Sequence, residues 1–228
     1  MSSIAIITAR GGSKRIPHKN IKNFMGKPML AYAIEAALKA GIFDTVMVST
    51  DSEEIAQVAR KYGAEVPFMR SAKSASDYAT TYDVIDEVIT EYQKLGKTFE
   101  NLCCIYPCVP FLQAATLQDA FKSWGSHDAL QPVCKYSVPI EWAMKINEQG
   151  VLIPNDRAAQ NKRSQDLEPK YYDVGMFYFC KTAKIHENRS LTPNDTVAYV
   201  IDENECQDID TPQDWAMAEM KYKVLYDI

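Results

Sequence analysis

The sequence lacks an excess of basic residues. Its 228 residues include 25 Lys and Arg against 30 Asp and Glu, which gives a formal net charge of −5. A protein that binds DNA or RNA generally carries a broad excess of positive charge, so a nucleic-acid partner is disfavoured. Any anion that this chain binds must therefore be held by cations gathered locally.

The sequence also lacks long apolar runs. Ile4 to Ala9 is the only such run near the start, and it has neither the basic flank nor the cleavage site of a signal peptide. No stretch approaches the roughly 20 residues that a membrane-spanning helix needs. We therefore expect no membrane association and a cytoplasmic location.

Histidine is scarce, and cysteine is not arranged in pairs. The three histidines, His18, His127 and His186, are scattered, and the six cysteines show no C-x-x-C spacing. A zinc site needs Cys and His at ligand spacing, and a disulfide framework is typical of small secreted domains. The pattern favours reduced core thiols, as in a cytoplasmic protein.

Short β-branched runs alternate with segments of helical period along one domain, residues 1–228. Such alternation predicts the α/β class, here a Rossmann-like, mostly parallel sheet with helices on both faces. The predicted strands are Ser3 to Thr8, Thr45 to Thr50, Leu102 to Tyr106, Ala129 to Cys134, Tyr171 to Cys180 and Thr196 to Ile201. The predicted helices are Pro28 to Ala40, Glu53 to Tyr62 with Asp51 as its cap, Thr81 to Leu95, Ala114 to Trp124 and Thr211 to Tyr226.

The alternation stops after Lys135. Pro139, Pro154 and Pro169 interrupt the following segment, and residues 155–168 form a polar run with neither helical nor strand period. This pattern predicts an insertion or arm at about residues 136–172.

The first chemical signal follows the first strand, where ligands of open α/β sheets bind. Glycines let backbone N–H groups approach an anion, and clustered cations offset the charge of a triphosphate. The loop fits neither the P-loop nor the G-x-G-x-x-G dinucleotide pattern. Its candidate phosphate ligands are Arg10, Gly11, Gly12, Ser13, Lys14, Arg15 and Lys19.

The second signal is an acidic pair near the C-terminus. Asp208 and Asp210 alternate on a strand-like segment, so both carboxylates would face the same side and one hard cation. Mg²⁺ is usually held by one or two carboxylates together with substrate phosphates. Asp before Thr-Pro is also a common helix start, so the residues alone leave open a capping Asp210 beside a solvated Asp208.

Four motifs together resemble the CMP-sialic acid synthetases, or acylneuraminate cytidylyltransferases, and their relatives. These enzymes join CTP to an acidic sugar and release pyrophosphate. The resemblance spans nearly the whole chain and implies the nucleotide-diphospho-sugar transferase type of fold. The motifs are Arg10 to Asn20 (RGGSKRIPHKN), Ser49 to Ala56 (STDSEEIA), Tyr62 to Arg70 (YGAEVPFMR) and Asp208 to Trp215 (DIDTPQDW).

The resemblance also implies roles for individual residues. Arg10, Lys19 and Asp210 match catalytic positions, and Asp208 with Asp210 matches the magnesium ligands. In the related enzymes the arm crosses to a second subunit, so the resemblance also implies a homodimer. The further positions that match nucleotide contacts are Asn20, Arg70, Ser76 and Thr80.

Departures from the sialic acid enzymes indicate the sugar. Tyr106 stands where those enzymes have a sugar-contacting Gln, and Thr81 lies in the matching helix. The segments Arg163 to Pro169 and Tyr172 to Tyr178 resemble pseudaminic acid cytidylyltransferases more closely. The resemblance therefore predicts pseudaminic acid as the acceptor. The predicted sugar contacts are Tyr106, Thr81, Arg163, Gln165 and Asp173, with Arg157, Lys162 or Arg163 as the cation for the sugar carboxylate.

Other functions stay open on the sequence. A related enzyme, such as a CMP-N-acetylneuraminic acid synthetase or a Kdo cytidylyltransferase, would share the fold and use another sugar. A non-catalytic nucleotide-binding module would use the glycine loop without turnover. A serine hydrolase is disfavoured, because no His and Asp accompany Ser13 in a recognisable motif.

Overall fold

The apolar runs form strands close to the predicted positions in a computed structural model, which describes residues 2–227. Their bounds are β1 Ser3–Thr8, β2 Asn23–Phe24, β3 Lys27–Pro28, β4 Thr45–Ser49, β5 Asn101–Ile105, β6 Ala129–Lys135, β7 Met144–Ile146, β8 Leu152–Pro154, β9 Tyr171–Asp173, β10 Phe177–Lys181 and β11 Thr196–Val200. The α-helices are α1 Met29–Ala40, α2 Glu53–Lys61, α3 Thr81–Lys94, α4 Ala114–Trp124, α5 Thr182–Asn188 and α6 Pro212–Tyr226.

Seven strands form one mixed sheet within the described residues. Its order is β11-β6-β10-β5-β1-β4, and β9 also pairs with β6. The pairs β1–β4, β1–β5 and β11–β6 are parallel, whereas β10 runs antiparallel to both β5 and β6. The sheet is therefore mostly parallel, as the alternation of strands and helices predicts.

Helices cover both faces of the sheet because alternate strand residues are apolar on both sides. On one face, α1, α2 and α4 pack against Ile7 and Ile105, which are fully buried. On the other face, α3 and α5 pack against Ile6 and Cys104. This burial on both faces confirms the predicted α/β class. Because β1 pairs in parallel with β4 and β5, the carboxyl ends of the three strands lie at one edge of the sheet, where loops form the site.

The closing helix α6 packs through a third apolar cluster. The ring of Trp215 meets that of Phe24 edge-to-face at 5.3 Å, and Tyr222 meets Phe24 at 5.5 Å. Ile209, just before the helix, is buried in the same cluster. This packing fixes the 208–210 segment beside the loop that follows β1.

The prediction of one strand from Tyr171 to Cys180 is wrong. The segment forms two strands, β9 and β10, separated at residues 174–176. Gly175 has φ +62°, and its N–H donates to the Asp173 carboxylate at 2.8 Å, which closes a local turn. Apolar composition alone does not reveal this break, because Val174 and Met176 are buried on both sides of it.

The segment at residues 136–172 lies largely outside the sheet. It contains the β7–β8 hairpin and three short 3₁₀ turns, and only its end, β9, joins the main sheet. Ile146 and Leu152 on the hairpin are 71% and 59% exposed, which is unusual for large apolar side chains.

Within the described chain, no helix has both the length and the apolar character needed to cross a membrane.

Candidate active site

A cleft of about 520 Å³ opens where the loop after β1 meets the segment before α3 and the residues after β5. Its wall combines the glycine loop, the segment that leads into α3 and the residues just after β5. The structure brings together many residues that the sequence places far apart. The predicted site residues that line the cleft are Arg10, Ser13, Lys14, Lys19, Asn20, Arg70, Ser76, Thr80, Thr81, Tyr106 and Asp210.

The glycine loop is held by side chains from outside it. The Gly11 N–H donates to the Asp51 carboxylate at 2.8 Å, and the Asn20 amide donates to the Arg10 carbonyl at 2.8 Å. A Cβ at Gly11 would lie 3.1 Å from that of Ser52, so glycine permits this approach. Gly12 is exposed and would have space around a Cβ.

Asp51 is therefore not the cap of α2, and that prediction is wrong. Ser52 is the N-cap, with its hydroxyl accepting from the Ile55 N–H at 3.5 Å. The Asp51 carboxylate is already occupied by the N–H of Gly11, which lies on a neighbouring strand's loop. Tertiary contact has thus moved the cap by one residue.

Two loop cations share one carboxylate across the mouth of the cleft. Arg10 lies 2.8 Å and Lys14 lies 2.7 Å from the two oxygens of Asp77. Hydrogen bonds from Lys14 and then Arg10 hold the pKa of Asp77 below its ordinary value. A phosphate bound in this cleft would need the same two cations, so it would compete with the Asp77 carboxylate for them.

Two further cations meet Asp210. Arg15 lies 2.8 Å from one carboxylate oxygen, and Lys19 lies 3.4 Å from the other. Lys19 is the less exposed of these cations, and its ammonium also donates to the Ile209 carbonyl at 2.6 Å. Lys19 thus joins the glycine loop to the acidic segment.

Asp208 and Asp210 do not lie on a strand, which corrects the strand-like prediction. The intervening Ile209 is buried, so the segment is anchored between its two acidic residues. Restricted access of water and then the charge of Asp210 raise the pKa of Asp208, while Lys19 opposes the rise. Two neighbouring carboxylates with this mutual repulsion form a hard-oxygen donor set that suits Mg²⁺.

The described residues 2–227 contain no cluster of three or more His, Cys, Asp or Glu side chains able to hold a metal ion. The chain therefore offers the acidic pair alone at this place, and the fit to Mg²⁺ depends on phosphate oxygens as further ligands.

Arg70 is buried rather than at the surface. Its guanidinium donates to the Ser49 carbonyl at 2.6 Å and to the Ser49 hydroxyl at 3.0 Å. Burial lowers the pKa of Arg70, and the nearby carboxylates of Asp51 and Glu87 oppose that change. The side chain is thus a fixed positive charge at the floor of the cleft.

Thr80 and Ser76 line the cleft but already have partners. The Thr80 hydroxyl caps α3 in a reciprocal capping box with Asp83. The Ser76 hydroxyl donates to the Lys73 carbonyl at 2.9 Å. Both residues shape the segment that carries Asp77.

A second cavity of about 540 Å³ adjoins the cleft, and Tyr106 lines both. The Tyr106 hydroxyl lies 3.2 Å from that of Thr81, so the predicted sugar contacts meet here. Tyr178 donates to the Asp173 carboxylate at 2.7 Å, and burial raises the pKa of both tyrosines. Asp208 lines this cavity, whereas Asp210 lines the cleft.

Arg163 and Gln165 do not reach either cavity within the same chain. Arg163 pairs with Asp166 through two hydrogen bonds of 2.8 and 2.9 Å in an exposed turn. Gln165 lines a separate cavity of about 310 Å³ beside Tyr136 and Lys170. Their predicted contact with the sugar stays a prediction.

Several residues that line these cavities are absent from the sequence-based prediction, and among them are three that carry polar groups: Asp77, Tyr178 and Lys221. Asp77 lies in a polar run without periodicity. Tyr178 lies in an apolar strand, a pattern that predicts a core residue rather than a site residue. Lys221 lies on the final helix, where a Lys ordinarily indicates a solvated face. No local pattern marks any of the three.

The chain is similar to several known proteins. The family model described as "Cytidylyltransferase" matches residues 4–195. The chain is 39% identical over 230 residues to the pseudaminic acid cytidylyltransferase of Campylobacter jejuni, covering 100% of this chain and 99% of the relative. It is 33% identical over 227 residues to the CMP-N,N'-diacetyllegionaminic acid synthase of Legionella pneumophila, covering 96% and 95% of the two chains.

One solved structure supports the fold. The chain superposes on the CMP:2-keto-3-deoxy-manno-octonic acid synthetase complexed with CTP with a TM-score of 0.70 at 16% identity, covering 100% of both chains. At this identity the likeness concerns the architecture of the sheet and helices.

Proposed function

Because this chain belongs to the cytidylyltransferase family, we propose that it joins CTP to pseudaminic acid, giving CMP-pseudaminic acid and pyrophosphate. It is a CTP-dependent nucleotidyltransferase for nonulosonic acids, as its full-length relatives indicate. The observation that carries the proposal is the pairing of a cationic cleft with a second cavity across Tyr106.

The cations of the glycine loop would hold the triphosphate. In the free protein, carboxylates occupy these cations, Asp77 on Arg10 and Lys14 and Asp210 on Lys19. A triphosphate carries several negative charges and would displace Asp77 from the mouth of the cleft. Arg70, fixed at the floor, adds positive charge that needs little reorganisation.

The second cavity would hold the acidic sugar so that its anomeric hydroxyl faces the nucleotide. The oxygen of that hydroxyl attacks the α-phosphorus and loses its proton. The bond between the α-phosphorus and the bridging oxygen breaks, and pyrophosphate leaves. Lys14 and Lys19 stabilise the charge that develops on this leaving group, so the chain acts through positioning and electrostatics.

Asp208 and Asp210 are the residues that would hold Mg²⁺. When bound there, the ion would supply positive charge beside the phosphates and relieve the repulsion between the two carboxylates.

A homodimer and a cytoplasmic location complete the proposal. The exposed apolar hairpin β7–β8 supports an interface between two copies of the chain, because Ile146 and Leu152 would otherwise face water. Such an interface would bring the arm residues Arg163 and Gln165 towards the partner's cavity. The six cysteines are all free thiols, which supports a reducing compartment.

The change Asp210→Asn tests the proposed chemistry. We expect pyrophosphate release from CTP and pseudaminic acid at saturating magnesium to fall about 100-fold or more, because the variant loses a charged ligand of the phosphate-bound cation. Asp119→Asn on α4, an exposed carboxylate paired with Lys122, is the matched control. Full turnover by folded Asp210→Asn would contradict the assignment.

A further inference from the structure

One lysine lies in the second cavity among acidic residues. The carboxylate-bearing residues Asp173, Glu203 and Asp208 line this cavity. Lys221, on α6, is the one cationic side chain among its lining residues, all of which belong to the described chain. The three carboxylates would repel an anion, and Lys221 is the lining residue that would attract one.

The Lys221 ammonium is held by the backbone rather than by a carboxylate. It donates to the Glu203 carbonyl and to the Cys206 carbonyl, both at 3.1 Å. An ammonium has three donors, so one donor remains for a ligand. No carboxylate of residues 2–227 forms an ion pair with Lys221, and its positive charge is therefore not offset by a side-chain partner.

The two carbonyls place the ammonium beside the acidic segment. Cys206 precedes Asp208 by two residues, and both line the same cavity. Because the backbone already holds the ammonium, little side-chain entropy remains to be lost when an anion binds there.

The substrate's chemistry requires a cation near this position. A nonulosonic acid carries its carboxylate directly on the anomeric carbon, which also bears the attacking hydroxyl. With the sugar in the second cavity and that hydroxyl at the α-phosphorus, the carboxylate would lie near Tyr106, which lines both cavities, while Asp208 lines the second cavity alone. Asp173 and Glu203, which also line the second cavity, would repel that carboxylate, so it needs a cation close by.

We propose that Lys221 binds the carboxylate of the acidic sugar and thereby selects acid sugars over neutral ones. The inference rests on the proposed function. It differs from the sequence-based expectation that Arg157, Lys162 or Arg163 of the arm plays this part. It also assigns Lys221 more than a structural role in holding the Glu203–Glu205 turn.

The test compares two sugars in two variants of the full-length enzyme. Lys221→Gln removes the charge and keeps an amide able to donate to a carbonyl, and Lys223→Gln, exposed on the same helix, is the matched control. Pyrophosphate release is measured with CTP and either pseudaminic acid or its C1 methyl ester. KM values for sugar and CTP are determined separately.

For Lys221→Gln we expect the KM for pseudaminic acid to rise roughly 10-fold to 100-fold, the range for a charge-assisted hydrogen bond. The KM for CTP should change less than about twofold, because the lysine lies outside the nucleotide cleft. The preference for acid over ester should disappear in this variant and remain in Lys223→Gln. A purely structural role would not alter that preference selectively.

If the ratio of kcat/KM for the acid to kcat/KM for the ester is the same in Lys221→Gln as in the wild type, the inference is overturned. The cations of the arm would then be the candidates for binding the sugar carboxylate. If Lys221→Gln does not fold, Lys221→Arg decides, because it keeps the charge and should keep the preference for the acid. Loss of that preference in folded Lys221→Arg would overturn the inference as well. A wild-type enzyme that releases no pyrophosphate with any nonulosonic acid would instead refute the proposed function itself.

Discussion

Replacing Lys19 by Met separates the structural from the chemical part of the site. Met fills a volume similar to that of the lysine stem but cannot donate. The ammonium of Lys19 is held by the Ile209 carbonyl at 2.6 Å and by Asp210 at 3.4 Å, and the side chain is 20% exposed. The substitution therefore removes one strong hydrogen bond and one weaker ion-pair contact.

The expected loss of stability is moderate. A hydrogen bond to a charged group contributes about 1.5–3 kcal/mol, and Arg15 still pairs with Asp210 in the variant. Because the Lys19 side chain is partly exposed, we expect the free energy of unfolding to fall by the lower part of that range, about 1.5–2 kcal/mol. For a chain of this size, that corresponds to a decrease in melting temperature of about 3–8 °C.

The expected loss of activity is larger. Removing one group that stabilises developing charge commonly lowers kcat by about 100-fold to 1,000-fold. At 25 °C the variant should still be folded, so this loss cannot come from unfolding. Differential scanning calorimetry and pyrophosphate release, measured on the same preparation, separate the two effects.

Lys22→Met is the matched control for this variant. Lys22 lies three residues further along the chain, and its ammonium sits 4.5 Å from the centre of the Trp215 ring, outside the cleft. The Lys22→Met variant should lose some stability, because the cation–π contact is removed, but should keep its activity. If Lys19→Met melts earlier but keeps its kcat/KM for CTP, the assignment of Lys19 to the phosphate site is refuted.

Three further predictions concern other parts of the site. Asp77→Asn should lower the KM for CTP, because Arg10 and Lys14 no longer need to leave a carboxylate; an increased KM would show that Asp77 assists binding. Tyr106→Phe should raise the KM for the sugar more than that for CTP, since it removes the hydroxyl 3.2 Å from Thr81; equal effects would place Tyr106 outside the sugar site. Hydrogen bonds from Thr80 hold the pKa of Asp83 below its ordinary value, so the stabilisation is present above that ordinary value and is lost as pH falls through the lowered pKa. The stability difference between wild type and Asp83→Asn, from urea titrations, should shrink over that acidic range, and a difference that grows there would contradict this sign.

The parts of the site that could be predicted from the sequence are local ones. Glycines and cations are contiguous between Arg10 and Lys19, and the chain direction of β1 places them at the carboxyl edge of the sheet. The contact between Lys19 and Asp210 spans 191 residues and depends on how α6 packs. The resemblance of motifs, rather than any periodicity, anticipates that these two regions meet.

The remaining differences arise where tertiary contacts override local preference. Asp51 and Ser52 are both good caps, but the Asp51 carboxylate accepts from the distant Gly11 N–H, and Ser52 caps the helix. Gly175 interrupts an apolar run whose composition otherwise indicates one strand. Lys221 reaches the backbone of a turn formed some 15 to 18 residues earlier, a contact that no sequence pattern encodes.

The central claim is transfer of a cytidylyl group from CTP to pseudaminic acid, and a pyrophosphate-release assay with product analysis tests it most directly. The purified enzyme is incubated with magnesium, with CTP or UTP, and with pseudaminic, legionaminic, N-acetylneuraminic or 2-keto-3-deoxy-manno-octonic acid. We predict one pyrophosphate for each CMP-pseudaminic acid formed, with the highest kcat/KM for CTP and pseudaminic acid. A higher kcat/KM for another acid would contradict the choice of sugar, and the absence of any CMP-sugar would contradict the account of the site.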